Sequence, residues 1–482
     1  MRRLAVPLVL AVATAAAAGL PGPAPAQQGV CLGDLDADAV AKRPGPLLRF
    51  GINPAGEAGA FGPRVEPVPD DPPRTLAALG RLRPRQGRFV VRLNRFFWSD
   101  GEAGIQRFLA LTRRYTAAGY PVELQLRYHP RPEQEGDVAG FVAWVREVVR
   151  RFGPNPLVVA AQVTNEVNLT FSPDSSDGAY RGARDALVQG VIAAKDEARR
   201  RGHRQLEIGF NWVYRMDPST EDSFWSHLRD RGGPAFVSAL DWVGLDAYPG
   251  TFFPPVEGPG GERDGMVNAM SQLRRCFMPK AGIPDHVPIH VEENGWPTGP
   301  GRPEQRQAEA MDLMVWAVHD FRGTYNVTDY RWFDLRDHNT SSLNFQHHYG
   351  LLRDDYSPKP AFGLYQEVVE ELARREPPVR RAAPRRPRLV MALRHRWARR
   401  GGRRCALSPV TATLAGPDAR TVRRVEFHPG GRRPAVDSRP PFRRALRVAL
   451  GRRTRSVRVR AVVRLRDGRR VTLARTLRVC GW

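Results

Sequence analysis

Eight short apolar segments recur between residues 47 and 338, and their spacing constrains the fold more than any other feature of the chain. They are 47–54 (LLRFGINP), 89–98 (FVVRLNRFFW), 121–130 (PVELQLRYHP), 158–167 (VVAAQVTNEV), 206–213 (LEIGFNWV), 241–249 (DWVGLDAYP), 288–297 (PIHVEENGWP) and 329–338 (DYRWFDLRDH). Their β-branched and aromatic residues, bounded by Gly and Pro, read as strands. Stretches 105–118, 138–152, 179–202 and 303–321 between them have amphipathic helical patterning. Parallel neighbours need a crossover of roughly a dozen residues or more, and every gap is long enough. This predicts an α/β fold, a closed (β/α)8 TIM barrel. An open doubly wound sheet fits the same alternation, but no Gly-rich phosphate fingerprint follows the first segment.

The segments open apolar and end polar or aromatic: Asn53, Asn94 and Trp98, Tyr128 and His129, Asn165 and Glu166, Asn211 and Trp212, Asp246 and Tyr248, Glu293 and Asn294, Trp332 and Asp334. In a barrel these ends converge on one face, where side chains from several strands can surround one substrate. Core packing alone gives no reason for reactive groups to gather there.

The flanking regions read differently. Arg2 and Arg3, an apolar run over 4–20 and Ala24-Pro25-Ala26 read as an export signal over 1–26, which predicts a secreted product. No other segment is apolar enough to cross a bilayer, so no transmembrane segment is expected. The barrel is expected over 27–375. Residues 376–388 (EPPVRRAAPRRPR) form a Pro/Arg-rich linker, and alternating segments over 389–482 predict an all-β, immunoglobulin-like sandwich. Cys405 and Cys480 bracket that domain and suit a staple between its terminal strands; by elimination Cys31 pairs with Cys276.

Charge is divided just as sharply. Residues 376–482 contain 31 Arg, no Lys and 5 acidic residues, a formal +26, against +25 for the whole chain, so residues 1–375 carry −1. Such a tail can bind anionic cell-wall polymers, lipid headgroups or nucleic acid by counterion release. A GC-rich coding bias toward Arg accounts for the same composition, since Lys42, Lys195, Lys280 and Lys359 are the only lysines.

Breaking a glycosidic bond requires protonating a poor leaving group while positive charge develops at the anomeric carbon, work done by two facing carboxyl groups. The fourth segment ends Val163-Thr164-Asn165-Glu166, and the seventh ends Glu292-Glu293-Asn294-Gly295-Trp296-Pro297. Over 47–372 the chain resembles clan A glycoside hydrolases, barrels with Asn-Glu at the end of the fourth strand and a second Glu at the end of the seventh. The resemblance implies Glu166 as general acid/base, Glu293 as nucleophile and retention of configuration by double displacement. It implies that Asn165 binds the sugar 2-hydroxyl, that Arg92 keeps the nucleophile ionised, and that Tyr248 orients it. His129 takes the place of a substrate-contacting polar residue, and Trp212 and Trp332 are candidate stacking platforms.

Strand alternation sends Glu292 and Glu293 to opposite sides, and the family's spacing before Gly-Trp-Pro, which the resemblance carries over, selects Glu293. Motifs of β-1,3-glucanase and of cellulase-like or xylosidase-like barrels are mixed, which leaves glucan, xylan and mannan open. His338, His347 and His348 with Asp334 and Asp337 match no standard zinc spacing, so neither metal nor cofactor is expected. The expected product is a monomer acting on a carbohydrate, its tail contacting anionic cell-wall polymers and no specific nucleic acid. The rival reading is a non-catalytic carbohydrate- or wall-binding barrel.

Overall fold

Alternation of apolar and polar residues organises both halves of the chain. The computed structural model describes residues 35–54, 65–215, 218–252, 260–373, 387–400, 403–430, 432–448, 456–466 and 470–480. The export segment 1–26, linker residues 376–386 and Cys31, with its expected bond to Cys276, lie outside the described residues. The chain divides into two compact units, Met1–Arg375 and Glu376–Trp482.

The first unit is a closed barrel of eight parallel strands in sequential order: β1 Arg49–Ile52, β2 Phe89–Phe97, β3 Val122–Arg127, β4 Val158–Val163, β5 Glu207–Val213, β6 Trp242–Asp246, β7 Ile289–Asn294 and β8 Val327–Trp332. Closure is made by β8 against β1, with Gly51 opposite Arg331 and Ile52 opposite Trp332. Outward residues such as Val91, Leu93, Ala161 and Val163 meet the surrounding helices in one continuous apolar core. The helix Val138–Phe152 is typical: Phe141, Trp144, Val145, Val148, Val149 and Phe152 recur at helical spacing and are all buried. Its start is capped by Asp137, whose carboxylate accepts from the Gly140 N–H at 2.9 Å.

The barrel interior is ionic rather than aliphatic. Near the N-terminal strand ends the Arg49 guanidinium pairs with Glu207 at 2.8 Å and Asp329 at 2.9 Å, and His290 lies 3.1 Å from Asp329. Above them Arg331 holds Asp329 at 2.8 Å and Glu123 at 3.1 Å. Higher still, Arg92 lies 3.2 Å from Glu292 and 3.5 Å from Glu123. Gly51 makes this column possible, because a Cβ there would sit 2.7 Å from the Arg331 side chain and 2.3 Å from the Val90 carbonyl oxygen. Buried ions of one sign require partners of the other, and the column supplies them from six strands.

The second unit is all-β, with antiparallel pairing throughout its sheets. Its strands are β9 Val390–Arg394, β10 Trp397–Arg400, β11 Arg403–Ala406, β12 Val410–Ala415, β13 Val422–His428, β14 Ala435–Asp437, β15 Arg443–Leu446, β16 Ser456–Leu465 and β17 Arg470–Arg478. Sheets ordered β15-β12-β9 and β14-β13-β16-β17 enclose a common core that includes Met391, Leu414, Phe427 and Val459. A disulfide joins Cys405 to Cys480 across 75 residues. A loop of that length predicts that C405S/C480S lowers the unfolding free energy of this unit by about 4 kcal/mol, checked by denaturant unfolding of the full chain followed by Trp fluorescence and hydrogen exchange.

Candidate active site

The polar strand ends meet in a cavity of about 160 Å³ at the C-terminal face of the barrel. Glu166, Glu293, Asn165 and Tyr248 line it, together with Arg95, Arg127 and Arg215 and a wall of aromatic side chains. Glu166 follows the end of β4 on a turn in which Thr164 (φ 64°) and Glu166 (φ 47°) both adopt left-handed backbone, a conformation that L-residues with side chains hold at a cost. Asp177 pins the turn: its carboxylate accepts from the Asn165 and Tyr128 backbone N–H groups, each at 2.9 Å, and from Arg127 Nε at 2.8 Å. The Glu166 backbone N–H donates to Asn211 Oδ1 at 2.9 Å.

Glu293 comes from β7, where the register departs from regular alternation. Leu245 pairs with Val291 but Asp246 pairs with Glu293, so one extra residue is inserted at Glu292. The bulge corrects the expectation that alternation separates the two glutamates, for both carboxylates face Arg92. Only Glu293 lines the cavity; Glu292 is fully buried beneath it.

Each oxygen of Glu293 is held. Oε1 accepts from Arg92 at 2.9 Å and from Gln125 at 3.3 Å, and Oε2 accepts from the Tyr248 hydroxyl at 2.7 Å. Arg92 also donates to Gln162 Oε1 at 2.7 Å. Asn165 Oδ1 accepts from Gln125 at 2.7 Å, Asn211 at 2.8 Å and Gln162 at 3.1 Å, while one N–H of its amide donates to Ser175 O at 2.8 Å. Carboxylate oxygens of Glu166, Asp246 and Glu293 all lie within 4.8 Å of one another.

Burial and crowding raise two of the three carboxyls. Burial, and then the charge of Glu293, push Glu166 up to about 8. Asp246, whose Oδ2 accepts from Asn211, is also raised well above the carboxylate range by burial and by the same neighbours. Beneath them burial and Glu292 raise Glu123 to about 8. At neutral pH Glu166 therefore carries a proton beside a carboxylate bonded to Arg92. The trio Glu166, Asp246 and Glu293 is the one set among the described residues spaced to hold a cation, but Arg92 already supplies positive charge at Glu293.

Other expected site residues fall elsewhere. Arg92 is fully buried behind Glu293 and does not line the cavity. Trp212 and Trp332 are 0% exposed and are not platforms: Trp212 packs on Trp225 and Phe277 with its indole N–H donating to Glu221, and Trp332 faces Tyr365. Strand parity turns both toward the helices, and the following residues Phe333 and Val213 reach the cavity instead, with Phe171, Tyr214, Phe252 and Tyr349. His129 is half-buried, stacked on Phe97 at 4.3 Å and bonded to the Tyr180 hydroxyl at 2.9 Å, outside the cavity lining. His347 and His348 bond to Ser342 within their own loop. Gln125, Gln162 and Asp177 went unnoticed in the sequence; for the two glutamines, the signal was polar residues at inward positions of otherwise apolar strands.

No family model and no curated protein matches the chain. Among solved structures it is similar to β-glucuronidase 2 of Bacteroides uniformis (12% identity, TM-score 0.43, 91% of this chain and 46% of that one). It is similar also to a β-glucosidase from Exiguobacterium marinum (14%, 0.45, 69% and 100%) and to a family 17 β-1,3-glucanosyltransferase from Rhizomucor miehei (16%, 0.42, 65% and 96%). The chain thus spans about half the length of the first. Likenesses this distant say nothing of its activity.

Proposed function

We propose that the barrel is a glycoside hydrolase that cleaves β-glycosidic bonds with retention, Glu166 serving as acid/base and Glu293 as nucleophile. The observation that carries this reading is the approach of carboxylate oxygens of the two residues to within 4.8 Å, with Glu293 bonded to an arginine; burial and the charge of Glu293 push Glu166 toward its protonated form. Retaining enzymes hold their carboxyls about 5–5.5 Å apart, whereas inverting ones leave roughly 6.5–9.5 Å for a water. Glu166 gives its proton to the departing oxygen as Glu293 attacks the anomeric carbon. Esterification removes the charge of Glu293, one of the causes of the raised Glu166, so the same group becomes acidic enough to act as base toward the incoming water. The aromatic wall of Phe171, Tyr214, Phe252, Phe333 and Tyr349 suits the apolar faces of a β-linked sugar. Export is part of the proposal and rests on residues 1–26.

Turnover of a panel of aryl β-glycosides and β-glucan, xylan and mannan, followed by NMR of the first-formed anomer, tests the reading. A β-anomeric first product is expected, and an α-anomer from a β-glycoside rules out double displacement. The free-enzyme profile of kcat/KM should fall as pH rises through about 8, because the acid must hold its proton. E166A should retain slow turnover only of substrates with activated leaving groups, accelerated by azide; a basic limb that persists in E166A would assign it to another group.

A further inference from the structure

The four-stranded sheet of the C-terminal unit buries Val425 and Phe427 of β13, Val459, Ala461 and Val463 of β16 and Leu477 of β17 in its core. Residues of the opposite parity form its outer face. There the register sets Arg424 directly opposite Arg464, and Arg464 directly opposite Arg470, a transverse row of guanidinium groups on three strands about 4.8 Å apart. Along β16 the row continues through Arg460 and Arg458, and β17 ends with Arg478 opposite Ser456. Arg458, Arg460, Arg470 and Arg478 are exposed. Among the described residues the acid on this face is Glu426, which pairs with Arg424 at 3.1 Å.

Like charges directly opposite one another oppose sheet formation, and the exposed Arg458, Arg460 and Arg478 add to the positive charge of this face. A bound polyanion would turn that repulsion into attraction. Among the described residues the outer face carries no Phe, Tyr or Trp, its one ring being the half-buried His428 opposite Arg460 and beside Glu426, so it offers little platform for nucleic-acid bases and no aromatic wedge for a bilayer. It does interleave the hydroxyls of Ser456, Thr472 and Thr476 with arginines, whose planar forks match carboxylates in pairs. We propose that this face binds a linear, carboxylate-bearing polysaccharide, independently of what the barrel cleaves.

The test compares the full-length protein with R458Q/R460Q/R478Q and with R404Q/R420Q/R443Q, which removes equal charge away from the face. Binding to polygalacturonate is measured by biolayer interferometry across about 50–200 mM NaCl. Wild type and the off-face variant should bind within about twofold of each other, and the face variant about tenfold or more weakly at every salt concentration. If the triple variant melts early, the single substitutions R458E and R460E are read instead, each expected to weaken binding. Equal losses in the face and off-face variants, no binding by wild type, or preferential displacement by poly(dT) at matched charge would each overturn the proposal.

Discussion

Replacing Glu293 with Gln should lower kcat/KM by about four to six orders of magnitude, as expected when a nucleophile is removed from a hydrolytic site, while leaving the melting temperature nearly unchanged. The amide oxygen can still accept from Arg92, so the fold has little reason to respond. A second readout belongs to the same variant. Because the Glu293 charge helps to raise Glu166, E293Q should shift the Glu166 titration downward from about 8, visible by carbon NMR of labelled glutamate. Turnover within tenfold of wild type would remove Glu293 from the chemistry.

Arg92→Met should cost about 3–5 kcal/mol of stability and abolish turnover together. Its guanidinium is the shared partner of Glu293 and Glu292 and lies 3.5 Å from Glu123, all inside the barrel. Methionine fills the volume but leaves Glu292 and Glu293 without their shared cation, so the barrel must take up protons or open. Stability loss measured by urea unfolding should therefore shrink toward acid pH, where protonation replaces the missing charge. Lysine should recover part of the stability and little of the activity, since one ammonium cannot serve Glu293 and Gln162 with the same geometry. A stable, active R92M would contradict the role given to this side chain.

The barrel was legible because its evidence is periodic: apolar runs bounded by Gly and Pro, separated by crossovers of sufficient length. The catalytic candidates were legible because Asn165-Glu166 and Glu293-Asn294-Gly295 stand at strand ends, where the fold brings distant positions together. What sequence reading lost was parity. One inserted residue in β7 brings Glu292 and Glu293 to the same side, and Trp332 points away from the cavity that Phe333 lines. A bulge is a property of the pairing between two strands, and neither strand announces it alone. An indole at a strand end suits stacking on a sugar, yet Trp212 and Trp332 are buried between sheet and helices. Loop aromatics such as Phe171 and Phe252 had no periodic neighbours to mark them.

The alternating charges along the barrel axis bear on how the chain is made. Arg331 on the last strand answers Glu123 on the third, 208 residues earlier, and Asp329 answers Arg49 on the first. A nascent chain that has released only the first seven strands has Glu207 for Arg49 and Arg92 for Glu123 but lacks the further partners that Asp329 and Arg331 bring. The ionic column is therefore completed by the last strand to be made, which joins the two ends of the barrel sequence through charge as well as through the β8–β1 pairing.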